Sequence, residues 1–137
     1  MRHATGVIDT SVVIDLDRLD PAELPDEPVI TAVTLAELSV GPLVTDDPTE
    51  RAARQARLQA VEASFEPLPF DAAAARAFGG VAAALRREGR KPAARAMDAL
   101  IAATAIANGL PLYTRNPADV AGIDGLTVVE VGRPAVR

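Results

Sequence analysis

Residues 93–113, AARAMDALIAATAIANGLPLY, carry a helix, its stop and a strand in one unbroken passage. Met97, Leu100, Ile101, Thr104 and Ala105 recur at helical spacing and predict a helix from Ala93 to about Asn108 with a broad apolar face. Asn108-Gly109 supplies the C-terminal stop, and Leu110 to Tyr113 reads as a strand. One residue does not suit this passage. Asp98 lies among Met97, Leu100 and Ile101, where an isolated ionised carboxylate needs a cation, a set of donors or a raised pKa.

Working outward, the same alternation recurs. Gly6 to Ile8 is a short β-branched run that ends in Asp9-Thr10-Ser11, three residue types suited to a helix N-cap, so Asp9 falls at the carboxyl end of a first strand. The segment from Asp17 to Pro28 is acidic and holds Pro21, Pro25 and Pro28, which makes it a surface connection with at most a short helix. Val29 and Ile30 form a second strand. Thr31 or Thr34 caps a helix through Glu37 that stops at Gly41-Pro42.

Glu50 to Ala63 is Arg- and Ala-rich with helical character, and Phe65, Leu68 and Phe70 predict a strand or extended segment broken by Pro67 and Pro69. Asp71 caps an Ala-rich helix from Ala72 to about Arg87, with Phe78, Val81, Ala82 and Leu85 on one face and Gly89 as its end. Asn116-Pro117 begins a turn, Leu126 to Val131 is a last strand, and a frayed tail is expected from Gly132. Strands alternating with helices in a chain of 137 residues predict one domain built on a parallel sheet with helices on both faces, its ligands at the carboxyl ends of the strands.

Composition removes whole classes of chemistry. There is no Cys, and the one His is His3, so thiol nucleophiles, disulfides, Cys/His zinc sites and Ser-His-Asp triads lack their parts. No run approaches a membrane span and the N-terminus lacks a signal-peptide core, from which a cytoplasmic protein is expected. Only 3% of residues are aromatic, so nucleic-acid binding would be mainly electrostatic.

The net charge of −5 hides an asymmetry. Asp9 to Glu50 holds eleven acids against Arg18, whereas Arg51 to Arg137 holds twelve bases against eight acids. The densest basic stretch is Arg86, Arg87, Arg90, Lys91 and Arg95, a candidate phosphate-binding rim that Arg115, and also Arg51, Arg54 and Arg57, could extend.

Four acids sit in apolar or turn contexts: Asp9, Glu37, Asp98 and Asp119. Each alone reads as a cap, a hydrogen-bonded carboxylate or a surface group. Together their mutual repulsion would be relieved by a divalent cation, and an all-oxygen donor set suits Mg²⁺, with Mn²⁺ as a substitute.

VIDTSVVIDL, VTLAELSVG, MDALIAATAIANGLPL and TRNPADV, in this order and spacing, resemble the PIN-domain family and within it the VapC-type toxins of bacterial toxin–antitoxin pairs. The resemblance implies a three-layer α/β/α fold with a central parallel sheet, and a magnesium-dependent endoribonuclease in which Asp9 and Asp98 hold the metal. It assigns Glu37 to the family's intervening acid and Thr10 or Ser11 to the hydroxyl beside the metal. The position after Thr114-Arg115 is Asn116 here, so the fourth place falls either to Asp119 or to an amide oxygen of Asn116. Glu37 or Asp119 would orient or deprotonate the attacking water, leaving 5′-phosphate and 3′-hydroxyl ends. The same resemblance implies a homodimer and a VapB-type antitoxin.

Other readings fit less well. Haloacid-dehalogenase-like phosphatases need an Asp where this chain has Ser11, and receiver domains need a Lys after the last strand, whereas the sole Lys is Lys91. A catalytically impaired PIN-like interaction module is the non-enzymatic alternative, motivated by Asn116.

Overall fold

A computed structural model describes residues 3–91 and 95–132 of the chain. Four short strands, β1 (Thr5–Ile8), β2 (Glu27–Val29), β3 (Leu112–Thr114) and β4 (Val128–Glu130), form one all-parallel sheet in the order β2-β1-β3-β4. Five α-helices among the described residues connect them: α1 (Thr10–Ile14), α2 (Ala32–Val40), α3 (Pro48–Ser64), α4 (Ala72–Arg87) and α5 (Ala96–Ala107).

The alternation of side chains along a strand builds two cores from one sheet. Val7 of β1 and Leu112 of β3 face α4 and α5, where they pack with Val81, Leu85 and Ile101. Ile8 and Tyr113, one residue on in each strand, face the opposite side and pack with Val12 of α1, Leu38 of α2 and Val61 of α3. Val128 and Val129 divide in the same way on β4. The expected α/β/α sandwich is therefore the observed architecture, and β1 and β3, buried on both faces, are its centre.

Helix ends follow the local chemistry. The carboxylates of Asp9, Asp47 and Asp71 and the hydroxyl of Thr31 each accept a hydrogen bond from a backbone amide of the first turn. Thr31 rather than Thr34 caps α2. Gly89 and Gly109 adopt φ of 75° and 65° beyond α4 and α5, the left-handed conformation that lets Arg90 and Leu110 amides reach back to Leu85 and Ala105 carbonyls.

Several expectations need correction. The second strand begins at Glu27 and ends at Val29, with Pro28 inside it. A strand can hold proline here because β2 is an edge: the Glu27 amide donates to Ala4 O toward β1, so the adjacent Pro28 nitrogen points away from the ladder. Phe65 to Phe70 adds no strand; Leu68 makes one bridge to Thr31 and exchanges hydrogen bonds with Ile30 and Ala32. Prolines on both sides of Leu68 stop the pairing there.

Met97, expected on the apolar face of α5, is 48% exposed at the start of the helix. Ala99, Ala102 and Ala103 are buried instead, because small side chains let α5 press against both the sheet and α4. The third and fourth strands are shorter than Leu110–Tyr113 and Leu126–Val131 at their starts. The expected start of the late helix at Ala93, and the tail beyond Gly132, lie outside the described residues.

Gly6 sits beneath the Tyr113 ring, where a Cβ would lie 2.6 Å from Cε1 and 2.9 Å from Cδ1. Tyr113 is 2% exposed and cannot swing into solvent. Gly6→Ala should thus cost about 1–3 kcal/mol of stability through overpacking, measured by urea unfolding; an unchanged midpoint would show that the ring can yield.

Candidate active site

β1 and β3 end side by side, and the acids collect there. The Asp9 amide donates to Tyr113 O at 3.0 Å, the last rung between the two strands, and the chain then turns directly into α1. The Asp9 side chain is 9% exposed, and its Oδ1 accepts from the Val12 amide at 3.2 Å and from the Ser11 hydroxyl at 2.5 Å. Ser11 Oγ accepts in turn from the Arg115 amide at 3.2 Å, which ties α1 to the segment after β3. Neither contact uses the second carboxylate oxygen of Asp9.

Glu37 reaches the same place from α2. Thr10 Oγ1 lies 2.6 Å from Glu37 Oε1 and 3.0 Å from Thr34 Oγ1. A carboxylate can only accept, so the Thr10 hydroxyl donates to Glu37 and accepts from Thr34. Thr34 is fully buried and stands one helical turn before Glu37, so the two share a face of α2. Sequence reasoning missed Thr34; that i, i+3 spacing was the available signal.

Asp98 lies in the first turn of α5, half-buried. Asp119 comes from the 3₁₀ turn Pro117–Val120, whose reversal brings it back beside Asn116. All four acids, with Thr10, Ser11 and Asn116, line one cavity of about 240 Å³ at the strand ends. Burial pushes the Asp98 carboxyl above the ordinary Asp value, and the negative charges of Asp119, Asp9 and Glu37 push it further, against a smaller opposing effect of Arg95.

Among the described residues no three acidic or imidazole side chains already converge as a metal centre. The reason is visible in their partners: Asp9 is turned to Val12 and Ser11, Glu37 to Thr10, and Asp119 to Arg95 at 3.4 Å. The donor set nevertheless fits a hard divalent cation, being all oxygen and carrying a net negative charge that the bordering Arg90 and Arg95 leave unbalanced.

The expected basic rim is dispersed. Arg90 donates to the Asp119 carbonyl and Arg95 pairs with Asp119, so these two border the cleft. Arg87 pairs with Asp124, Arg115 with Asp15, and Arg86 and Lys91 are exposed without lining the cleft. Arg51 donates to the Pro42 and Thr45 carbonyls, and Arg54 pairs with Glu50. Asp15, desolvated but hydrogen-bonded by Arg18 and Arg115, has its carboxyl held below the ordinary value.

The family model of the PIN domain matches residues 6–119. The chain belongs to the PIN-domain family. It is 42% identical to Ribonuclease VapC5 of Mycobacterium tuberculosis over 95% of this chain and 96% of that protein. It is 34% identical to Ribonuclease VapC4 of the same organism over 96% of this chain and all of that one. Among solved structures, the VapBC-5 toxin–antitoxin system of M. tuberculosis contains a chain that superposes with a TM-score of 0.82 at 40% identity. That alignment covers 93% of this chain and 99% of the other. No helix among the described residues is long and apolar enough to cross a membrane.

Because its pKa is raised on folding, Asp98 favours the folded state fully only below the unfolded pKa, and that contribution is lost as pH rises through the folded value. Without divalent ions, Asp98→Asn should melt a few degrees above the parent at pH 7, with the gap closing toward pH 4 and shrinking when Mg²⁺ is added. Thermal melts at the two pH values test this; a lower melting temperature for the variant at pH 7 would contradict it.

Proposed function

We propose that the chain is a divalent-cation-dependent endoribonuclease, the toxin member of a toxin–antitoxin pair acting in the cytoplasm. The observation that carries this reading is the Asp98 carboxylate, held half-buried at the strand ends against the charges of Asp119, Asp9 and Glu37. A protein gains nothing in stability from such repulsion. It becomes favourable once a cation is bound, and a phosphodiester brought to that cation is the substrate class that the ribonuclease relatives act on.

Asp9 and Asp98 would hold the ion, Asp9 through the oxygen that its Val12 and Ser11 contacts leave unused. A bound Mg²⁺ or Mn²⁺ supplies a polarised phosphoryl oxygen and a water of lowered pKa. Glu37 is fixed by the Thr34–Thr10 hydroxyl chain, which suits it to accept a proton from the attacking water or to orient it. Asp119 is the better fourth acid: among the charged neighbours it raises the Asp98 pKa most, and Asn116 brings no charge.

The VapBC-5 neighbour is a toxin–antitoxin system, and this supports a small VapB-type protein as the partner of this chain, which we take to be a homodimer. A catalytically impaired interaction module is disfavoured by Asp119, whose return to the cleft restores the charge that Asn116 lacks.

The test is cleavage of total RNA by purified protein. Mg²⁺ should be required, EDTA should abolish cleavage, and Asp9→Asn and Asp98→Asn should each lower the rate about a hundredfold or more. Cleavage that proceeds equally in both variants would refute the assignment.

A further inference from the structure

The acid cleft is the middle of three adjoining cavities. Thr10, Ile14 and Glu37 also line a second cavity of about 360 Å³, walled beyond them by Arg54 and Arg57 of α3. Ser11, Ile14 and Asn116 also line a third, of about 500 Å³, walled by Asp15 and Arg115. Through these shared residues they adjoin as a trough, with the four acids lining the middle cavity, Arg54 and Arg57 the second, and Arg115 beside Asp15 and Glu130 the third.

Two side chains in this trough have no role in the fold or in the acid cluster. Ile14 is 43% exposed, although it lies one helical turn after Thr10 and borders all three cavities. A branched apolar side chain between carboxylates gains nothing from water and adds no charge. Arg57 is half-buried beside the Glu37 cavity and makes no hydrogen bond or ion pair with a described residue. Arg54, one turn earlier, is committed to Glu50 and the Gly41 carbonyl, and Arg115 to Asp15. Arg57 is thus the one arginine of the trough with its guanidinium uncommitted among the described residues.

A phosphodiester strand running through the acid cluster meets repulsion from Glu37 and Glu50 on this side unless a cation receives its next phosphate. Arg57 is placed to be that cation, with a planar fork suited to phosphate oxygens. Its half-buried position makes the contact stronger than one on an open surface. No aromatic side chain lines the three cavities, so the apolar surface of Ile14 is what a neighbouring base can rest on. Asp9 lies at the floor of the trough at 9% exposure, which an unpaired strand can reach by bending inward and a rigid duplex cannot.

We propose that the three cavities form one groove for an unpaired RNA strand, in which Arg57 binds the phosphate on the Glu37 side of the cleaved bond and Ile14 contacts the adjacent base. This rests on the ribonuclease reading and adds to it the path of the strand and two residues that determine its binding.

The experiment measures steady-state cleavage of an unstructured 12-nucleotide RNA in Mg²⁺ by the full chain, comparing Arg57→Gln, Ile14→Ala and a control, Arg76→Gln, on the exposed face of α4. Arg57→Gln should raise KM about tenfold with kcat within about twofold, and flatten the salt dependence of kcat/KM by about one ion. Ile14→Ala should alter the ratio of rates among oligonucleotides that differ in the base flanking the cleaved bond. The control should match the parent, and Mn²⁺ should raise the melting temperature of all four proteins equally. Cleavage by the parent with an unchanged KM in Arg57→Gln overturns the groove while leaving the nuclease intact. Absence of any Mg²⁺-dependent cleavage by the parent overturns both. Loss of a co-purifying small protein in Arg57→Gln, with KM unchanged, assigns the trough to a protein partner and also overturns the proposal.

Discussion

The rung between the Asp9 amide and Tyr113 O is the contact on which the site depends. It is the last hydrogen bond of the central strand pair, and the residue that donates it also caps α1 with its side chain. One residue therefore closes a strand, opens a helix and presents a carboxylate, so the orientation of Asp9 is fixed by the sheet itself. Ile8 and Tyr113 anchor one face of this pair in a core and Val7 and Leu112 anchor the other, which leaves the strand ends little freedom to move apart.

From that fixed point the remaining acids arrive on three separate elements. α2 delivers Glu37 through a chain of hydroxyls, α5 delivers Asp98 in its first turn, and the 3₁₀ turn delivers Asp119. None of these elements could relax to separate the charges without unpacking a core. The electrostatic cost is consequently held in place by apolar burial, and it falls on Asp98, the acid that burial and three like charges raise together. Among the described residues, Arg95 is the sole cation paired with one of the four carboxylates, that of Asp119, and a partly exposed pair of this kind offsets only a little of that cost.

Much of this was legible in the chain. The Asp71 cap, the Gly89 and Gly109 stops and the alternation of strand with helix follow from local chemistry, and they sufficed for the layer order. Asp98 was conspicuous because its neighbours are apolar. Features that depend on the third dimension were not legible: Pro28 entered a strand because β2 is an edge, and Met97 was left outside because alanines fill the crowded interface of α5. The Arg86 to Arg95 stretch looked like the phosphate rim, yet its density in sequence carried no information about facing. Ile14 was unremarkable in sequence, and Arg57 stood there only as a possible extension of that rim; in the fold both line the cavity beside Glu37.

The central claim is that the four acids form a cation site with Asp9 and Asp98 as its inner ligands. Anomalous diffraction from crystals of the chain grown with Mn²⁺ tests it most directly. The account predicts a manganese peak in the cleft within bonding distance of both carboxylates, and none in crystals of Asp98→Asn protein. A cleft without manganese at millimolar concentrations, or a peak indifferent to the loss of the Asp98 charge, would contradict it.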